Sequence, residues 1–116
     1  MIAFKYRFHG HGSLAYLYKN GQIARTKNLT FKYILNKKRQ FPRVAIVVSK
    51  KVAKRAVDRN RIRRRIYEII RLELDNFSAS YDLVIIVHSI EVRDMDYQEL
   101  KNKILASLTQ AGVIKL

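Results

Sequence analysis

Residues 41–71 read FPRVAIVVSKKVAKRAVDRNRIRRRIYEIIR, and this stretch decides the fold. Its first part, Phe41 to Ser49 with Val44, Ile46, Val47 and Val48, is a strand apolar on both faces, the pattern of a central strand. A basic segment follows. From about Asp58 the spacing changes to that of a helix running to Asp75-Asn76, with Ile62, Ile66, Ile69 and Ile70 in one stripe at 100° per residue. Asn60, Arg61, Arg64 and Arg71 fall opposite that stripe, with Arg63 and Arg65 on its flanks. A second apolar strand runs from Tyr81 to His88. Strand, helix and strand in this order imply a parallel pair.

On the N-terminal side, residues 29–35 alternate, with Leu29, Phe31, Tyr33 and Leu35 on one face, so they read as a half-buried strand. The polar residues Asn36 to Gln40 make a turn, and the strands on either side of it are expected to pair antiparallel. A short helix over 14–20, capped by Ser13 and ended by Gly21, precedes them. A last helix opens with Asp96 as its cap and Glu99 three residues later, carries Leu100, Ile104 and Leu108 on one face, and stops at Gly112.

The 116 residues suit a single domain over 1–116, and 48% apolar content is enough for a core. There is no cysteine, which excludes disulfides, thiolate metal sites and a thiol nucleophile. The charge is +15, unevenly spread. Residues 1–49 hold ten basic side chains and no acid, residues 50–71 ten basic and two acidic, and residues 72–116 four basic and seven acidic. Such self-repulsion points to a polyanionic partner. No apolar run is long enough to span a membrane, and a lipid surface would need an apolar face that this fold uses internally. Charge interrupts the N-terminus too often for a secretory signal, so the expected location is the cytoplasm.

Between Arg59 and Arg71 there are six Arg and no Lys. A face that served only solubility would mix Lys with Glu, whereas guanidinium forks suit phosphate. A DNA-binding basic zipper needs a leucine heptad after the basic region, and only Leu72 and Leu74 follow before the helix ends. RNA fits better. Single strands stack on aromatic rings beside a basic groove, and Tyr16, Tyr18, Phe31 and Tyr33 lie in the basic half. Phe31 and Tyr33 belong to the core face, while Tyr18 suits either role.

Intrinsic catalysis has little support. His9 and His11 share a face of an extended segment, but no third ligand stands near them in sequence. Asp94 and Asp96 resemble a magnesium pair, yet Asp96 is explained as a helix cap. No glycine-rich phosphate loop exists, and the carboxylates concentrate away from the basic segments. Neither catalytic nor metal-ligating residues are therefore expected.

The run from Arg43 to Lys51, followed by Ala56-Val-Asp-Arg-Asn-Arg-Ile-Arg-Arg64, resembles the signature of the bacterial ribonuclease P protein subunit. Tyr18-Lys19-Asn20-Gly21, Leu29 to Leu35, Tyr81 to Val87 and Asp96-Tyr97-Gln98-Glu99 extend the resemblance over nearly the whole chain. It implies an α+β fold, an α/β sandwich of α-β-β-β-α-β-α order around a mixed sheet with a left-handed crossover. That hand runs against the general rule. The third strand, which periodicity does not show, would come from within 22–48.

The implied activity is that of a ribonucleoprotein endonuclease that matures the 5′ end of precursor tRNA, with Mg²⁺ held mainly by the RNA subunit and substrate. By the same resemblance Arg59, Asn60, Arg61, Arg63 and Arg64 contact the RNA subunit, and Tyr18, Ser49, Lys50 and Lys51 line the site of the 5′ leader. Membrane and DNA are not implied partners. The sequence departs from the family at Leu14 and Lys32, where aromatic residues are common, at Arg65 and Tyr67, and at His88. The competing class is a structural RNA-binding module such as a ribosome-associated protein.

Overall fold

The computed structural model describes Tyr6 and residues 11–115, with the side chains of Tyr6 and of residues 14–115. Its elements are α1 (His11–Asn20), β1 (Gln22–Arg25), β2 (Leu29–Leu35), β3 (Arg43–Val48), α2 (Ala56–Leu72), β4 (Tyr81–Val87) and α3 (Tyr97–Ala111). This is the expected α-β-β-β-α-β-α order. Short 3₁₀ turns at Leu74–Asn76 and Ile90–Arg93 follow α2 and β4.

The sheet order is β1-β2-β4-β3. β4 lies between β2, to which it is antiparallel, and β3, to which it is parallel. The parallel pair of the β3–α2–β4 unit is thus present, and it is here that the resemblance implies the left-handed crossover. The expected pairing of the strands at 29–35 and 43–48 is not: β4 separates them. Accordingly, among the described residues β3 is an edge strand rather than a central one. Leu83, Val84 and Ile85 are fully buried, so β4 is the strand whose two apolar faces demand the middle position. The missing third strand is β1, four residues paired with β2. It is mostly exposed, so it leaves no apolar alternation to read.

The two faces of the sheet carry different cores. Leu29, Phe31, Tyr33, Val44, Ile46, Val48, Leu83, Ile85 and Val87 join Ile62, Ile66, Ile69 and Ile70 of α2 and Leu100, Ile104 and Leu108 of α3 in the larger cluster. On the other face Leu17 of α1 packs with Val84, and Leu14, Ile34, Ala45, Val47 and Ile86 are only partly covered. A single short helix cannot hide a whole sheet face, so this face is left partly open.

Several helix limits differ from the sequence reading. α1 begins at His11, so Ser13 lies inside it and is not its cap. α2 starts at Ala56, among the residues just before Asp58 that the spacing allows, but gives way at Leu72 to the 3₁₀ turn that reaches Asn76. α3 is capped as expected: Asp96 accepts the N–H of Glu99, and Gly112 takes φ of 82°, a left-handed value that favours glycine. At the exit of α1, a Cβ on Gly21 would lie 2.6 Å from Leu17 O and 3.2 Å from Tyr33 O. Glycine is what lets α1 turn directly into β1.

Candidate nucleic-acid interface

The turn between β3 and α2 is closed by its own backbone. The carbonyl of Ser49 accepts the N–H groups of Val52 and Ala53 at 3.2 and 3.1 Å. Buried Ala53 anchors the turn, while Ser49, Lys50 and Lys51 point into solvent. The isoleucine stripe of α2 is buried, so helical geometry turns Asn60, Arg61 and Arg64 outward, as the spacing predicts.

These arginines are not equally available. Arg59 Nη1 donates to the carbonyls of Ala53 and Lys54 at 2.9 and 2.8 Å, clamping the turn onto the helix. Arg61 Nε donates to Arg93 O at 3.0 Å. Arg65 donates from Nη1 to Val92 O at 2.6 Å and Arg93 O at 3.1 Å, and from Nη2 to Met95 O. It thus holds the segment between β4 and α3, a role the sequence does not announce. Arg63 Nη2 donates to Asn60 Oδ1 at 2.7 Å. Among the described residues Arg64, Lys50, Lys51 and Lys54 have no side-chain hydrogen bond or ion pair.

The expected separation of carboxylates from the basic surface does not hold. Asp58 lies 3.3 Å from Arg55 and 3.4 Å from Arg93. Asp94 lies 2.9 Å from Arg93 and 3.8 Å from Arg61. The two acids come from α2 and from the loop after the Ile90–Arg93 turn, and folding brings that loop to the helix. Asp58 also sits in the first turn of α2, where the helix dipole favours a negative charge. The Arg93 hydrogen bond holds the Asp94 carboxyl below its ordinary value and raises the Arg93 guanidinium in return. Asp94 is therefore an ion-pair residue and Asp96 a cap.

The open sheet face supplies the second surface. Strand alternation places Thr30, Lys32 and Ile34 of β2, Ala45 and Val47 of β3, and Val84 and Ile86 of β4 on the α1 side. Tyr18 is 40% exposed, and Lys32 Nζ stands 4.7 Å from the centre of its ring, a cation–π contact worth about 0.5–1 kcal/mol at an exposed site. The departure at Lys32 thus sets a cation against the tyrosine. Thr30 Oγ1 and His88 Nε2 are hydrogen-bonded at 2.6 Å, joining β2 to the residue just after β4. The sequence reading did not single out this pair; its signal was Thr30 lying in the same alternation as Lys32. Continuing the Val48–Val87 register by one residue puts Ser49 beside His88. Tyr18 and Lys32 are therefore brought together, whereas Ser49, Lys50 and Lys51 stand at the end of β3, where the open face meets the start of α2.

No group of three or more His, Asp or Glu fit to hold a metal occurs among the described residues. His9 lies outside them, and of His11 only the backbone is described.

A family model described as Ribonuclease P matches residues 3–112. The ribonuclease P protein component of Clostridium botulinum (strain Langeland) is 35% identical over 99 residues, which cover 84% of this chain and 86% of that one. That of Pseudanabaena sp. is 31% identical over 114 residues, 98% of this chain and 97% of that one. The match to the component of Cyanothece sp., 40% identical over 76 residues, spans 57% of that protein's length. Among solved structures, the ribonuclease P protein of Staphylococcus aureus superposes with a TM-score of 0.83 at 27% identity, covering 95% of this chain and 98% of that one. A second S. aureus structure, at 28% identity and the same TM-score over 94% and 90% of the chains, is of a mutant with defective mRNA degradation activity. With the family match covering nearly the whole sequence and the fold shared, this chain belongs to the ribonuclease P protein family.

Proposed function

We propose that this chain is the protein component of a ribonuclease P holoenzyme. It binds the RNA subunit through α2 and the turn before it, and holds the single-stranded 5′ leader of precursor tRNA on the open sheet face beside α1. The holoenzyme hydrolyses the phosphodiester at the 5′ end of the mature tRNA. The RNA subunit and Mg²⁺ carry that chemistry; the carboxylates at the basic surface, Asp58, Glu68 and Asp94, are engaged with arginines. Among the described residues no group of carboxylates and histidines fits a magnesium site. No helix among the described residues is long and apolar enough to cross a membrane, and the proposed place of action is the cytoplasm.

One observation carries this reading. The turn bearing Ser49, Lys50 and Lys51 stands between two surfaces of different chemistry. Outward charge on α2, with Arg64 unpaired among the described residues, suits phosphates of structured RNA. A tyrosine with an adjacent ammonium group on the sheet suits a single strand. A general structural RNA-binding module needs only the first surface.

The test pairs Arg64→Ala with Tyr18→Ala. Arg64→Ala should weaken assembly with the RNA subunit and reduce the log-affinity versus log-salt slope by about 0.7–0.9 per lost phosphate contact. Tyr18→Ala should spare assembly and cost about 1–3 kcal/mol in binding of long-leader precursor. That cost should vanish when the leader is trimmed to one nucleotide. Equal weakening of long-leader and short-leader precursors would give Tyr18 a structural role and overturn the leader assignment. RNA-free protein with Mg²⁺ should leave precursor tRNA intact. The S. aureus mutant makes mRNA the second substrate to offer it, and cleavage of either would refute the assignment of chemistry to RNA.

A further inference from the structure

The two flanks of α1 are not equivalent. With Leu14 and Leu17 turned to the sheet, the 100° step puts Tyr18 on one flank and Tyr16 on the other. Tyr16, 61% exposed, borders a separate cavity of about 510 Å³, within the size range of small-molecule sites. This cavity lies toward the end of the strands where β2 finishes and β3 and β4 begin. Ile34 and Leu35 form its apolar wall, and Lys37 and Lys38 its rim.

The rim is a built turn. Asn36 N donates to Ser80 O at 3.0 Å, and Asn36 O accepts from Ser80 Oγ at 2.8 Å and from Arg39 N at 3.1 Å. Asn36 Nδ2 donates to Asp82 Oδ2 at 3.0 Å, and its Oδ1 accepts the N–H of Lys38 at 3.2 Å. The backbone that presents the two lysines is thus fixed before any ligand arrives. Both lysines are exposed, and among the described residues neither ammonium group has a hydrogen bond or ion pair. Asp82, the carboxylate in the lining, is 4% exposed and accepts from Arg43 Nε and Nη2 at 2.9 and 2.8 Å. Its charge is compensated, so the site attracts anions.

We propose that this cavity binds one nucleotide of single-stranded RNA, its base stacked on Tyr16 against the Ile34–Leu35 wall and its phosphate at Lys37 and Lys38. The strand could be the far part of the leader or an unpaired nucleotide of the RNA subunit. The leader source rests on the proposed function above. From the Val48–Val87 level of the sheet to the Arg43–Asp82 level is about 17 Å at 3.3 Å per residue. That is roughly five nucleotides at the 3.4 Å rise of a stacked strand.

The experiment uses Tyr16→Ala, Tyr16→Phe and the double variant Lys37→Ala/Lys38→Ala, each checked by thermal unfolding. RNA subunit is titrated into protein, and precursor tRNA with leaders of one, about five and about twelve nucleotides into holoenzyme. If the leader fills the cavity, Tyr16→Ala loses about tenfold in affinity for the longest leader only, the size of one modest stacking contact, and Tyr16→Phe keeps it. If the RNA subunit fills it, the same loss appears in the assembly titration. The double lysine variant weakens the same equilibrium, and it decides alone should Tyr16→Ala fail to fold. Affinities within about twofold of the parent for both sets, in the subunit titration and at every leader length, would overturn the site.

Tyr18→Ala with the intermediate leader separates the two assignments. A Tyr18→Ala loss there, with none from the Tyr16 and lysine variants in the subunit titration or with the longest leader, removes this site and leaves the cleft. The reverse pattern removes the cleft and leaves this site.

Discussion

On α2 the guanidinium groups of Arg59, Arg61 and Arg65 end on backbone carbonyls of neighbouring segments. On the α1 side of the sheet, Tyr18 and Lys32 end on each other and on solvent. Both regions carry residues that suit RNA, but α2 uses much of its charge to hold the protein together. A count of arginines therefore overstates the groups free for phosphate. The sheet face uses little: Leu17 and Val84 fasten α1 there, and the aromatic and cationic groups stand beside that contact.

The largest effect should come from the compensated carboxylate beneath the sheet region. Asp82 is buried with Arg43, whose guanidinium its hydrogen bonds hold above the ordinary value. Removing one partner of such a pair leaves the other charge uncompensated, so Asp82→Ala should cost about 3–5 kcal/mol in urea unfolding. A cost below about 1 kcal/mol would mean that the rigidity of the Asn36–Arg39 turn has another source.

Anion linkage should come next. Polyphosphate at one hundred times its dissociation constant should add about 2.7 kcal/mol of stability. If α2 is the main phosphate surface, the gain in thermal midpoint shrinks in Arg64→Ala and persists in Tyr18→Ala. A gain equally reduced in both would erase the distinction between the regions, and no shift at matched ionic strength would remove the linkage itself.

Within α2, Arg65→Ala and Arg64→Ala should part company. Arg65 donates to three carbonyls, and losing charged hydrogen bonds of this kind should cost about 1.5–3 kcal/mol. Arg64→Ala should stay within about 0.5 kcal/mol of the parent, as at other exposed positions. Equal urea midpoints for the two would mean that the carbonyl contacts add no stability.

The smallest effect is in acid. The carboxyl of Asp94 is held below its ordinary value of 3.8 by its hydrogen bond from Arg93. Its pairing therefore favours the fold above that value and is lost as pH falls through the lowered one. Asp94→Asn should flatten the acid limb of stability against pH, and an unchanged limb would show the pair to be fully screened.

Much of this arrangement was legible in the sequence because it depends on local spacing. The isoleucine stripe of α2, the Asp96 cap and the Gly112 stop are contacts within a few residues. So is the outward position of Arg64. What could not be read depends on segments far apart. The donors of Arg61 and Arg65 reach residues 92–95, about thirty positions on, and no periodicity records where a guanidinium ends. β1 has too few buried residues to alternate visibly. The place of β3 at the edge follows from β4 claiming the centre, a competition between strands that neither strand shows alone. The lysine turn at residues 36–39 read only as a polar connection, because its cavity needs Tyr16 from α1 and Asp82 from β4.

The central position of β4 also governs how the chain folds. Neither of its ladders can grow from a hairpin: the contacts of Asp82 reach back 39 residues to Arg43 and 46 to Asn36. Of the three strand pairs only β1–β2 is local in sequence. Closing such separations costs chain entropy before the contacts repay it, and rates fall as contact order rises. The expected order is therefore that the sheet closes late, with β4 entering between β2 and β3 once the intervening chain has been brought together. Until then the inner edges of both strands are open, and a newly made chain is exposed to mispairing at the strand its finished fold hides best.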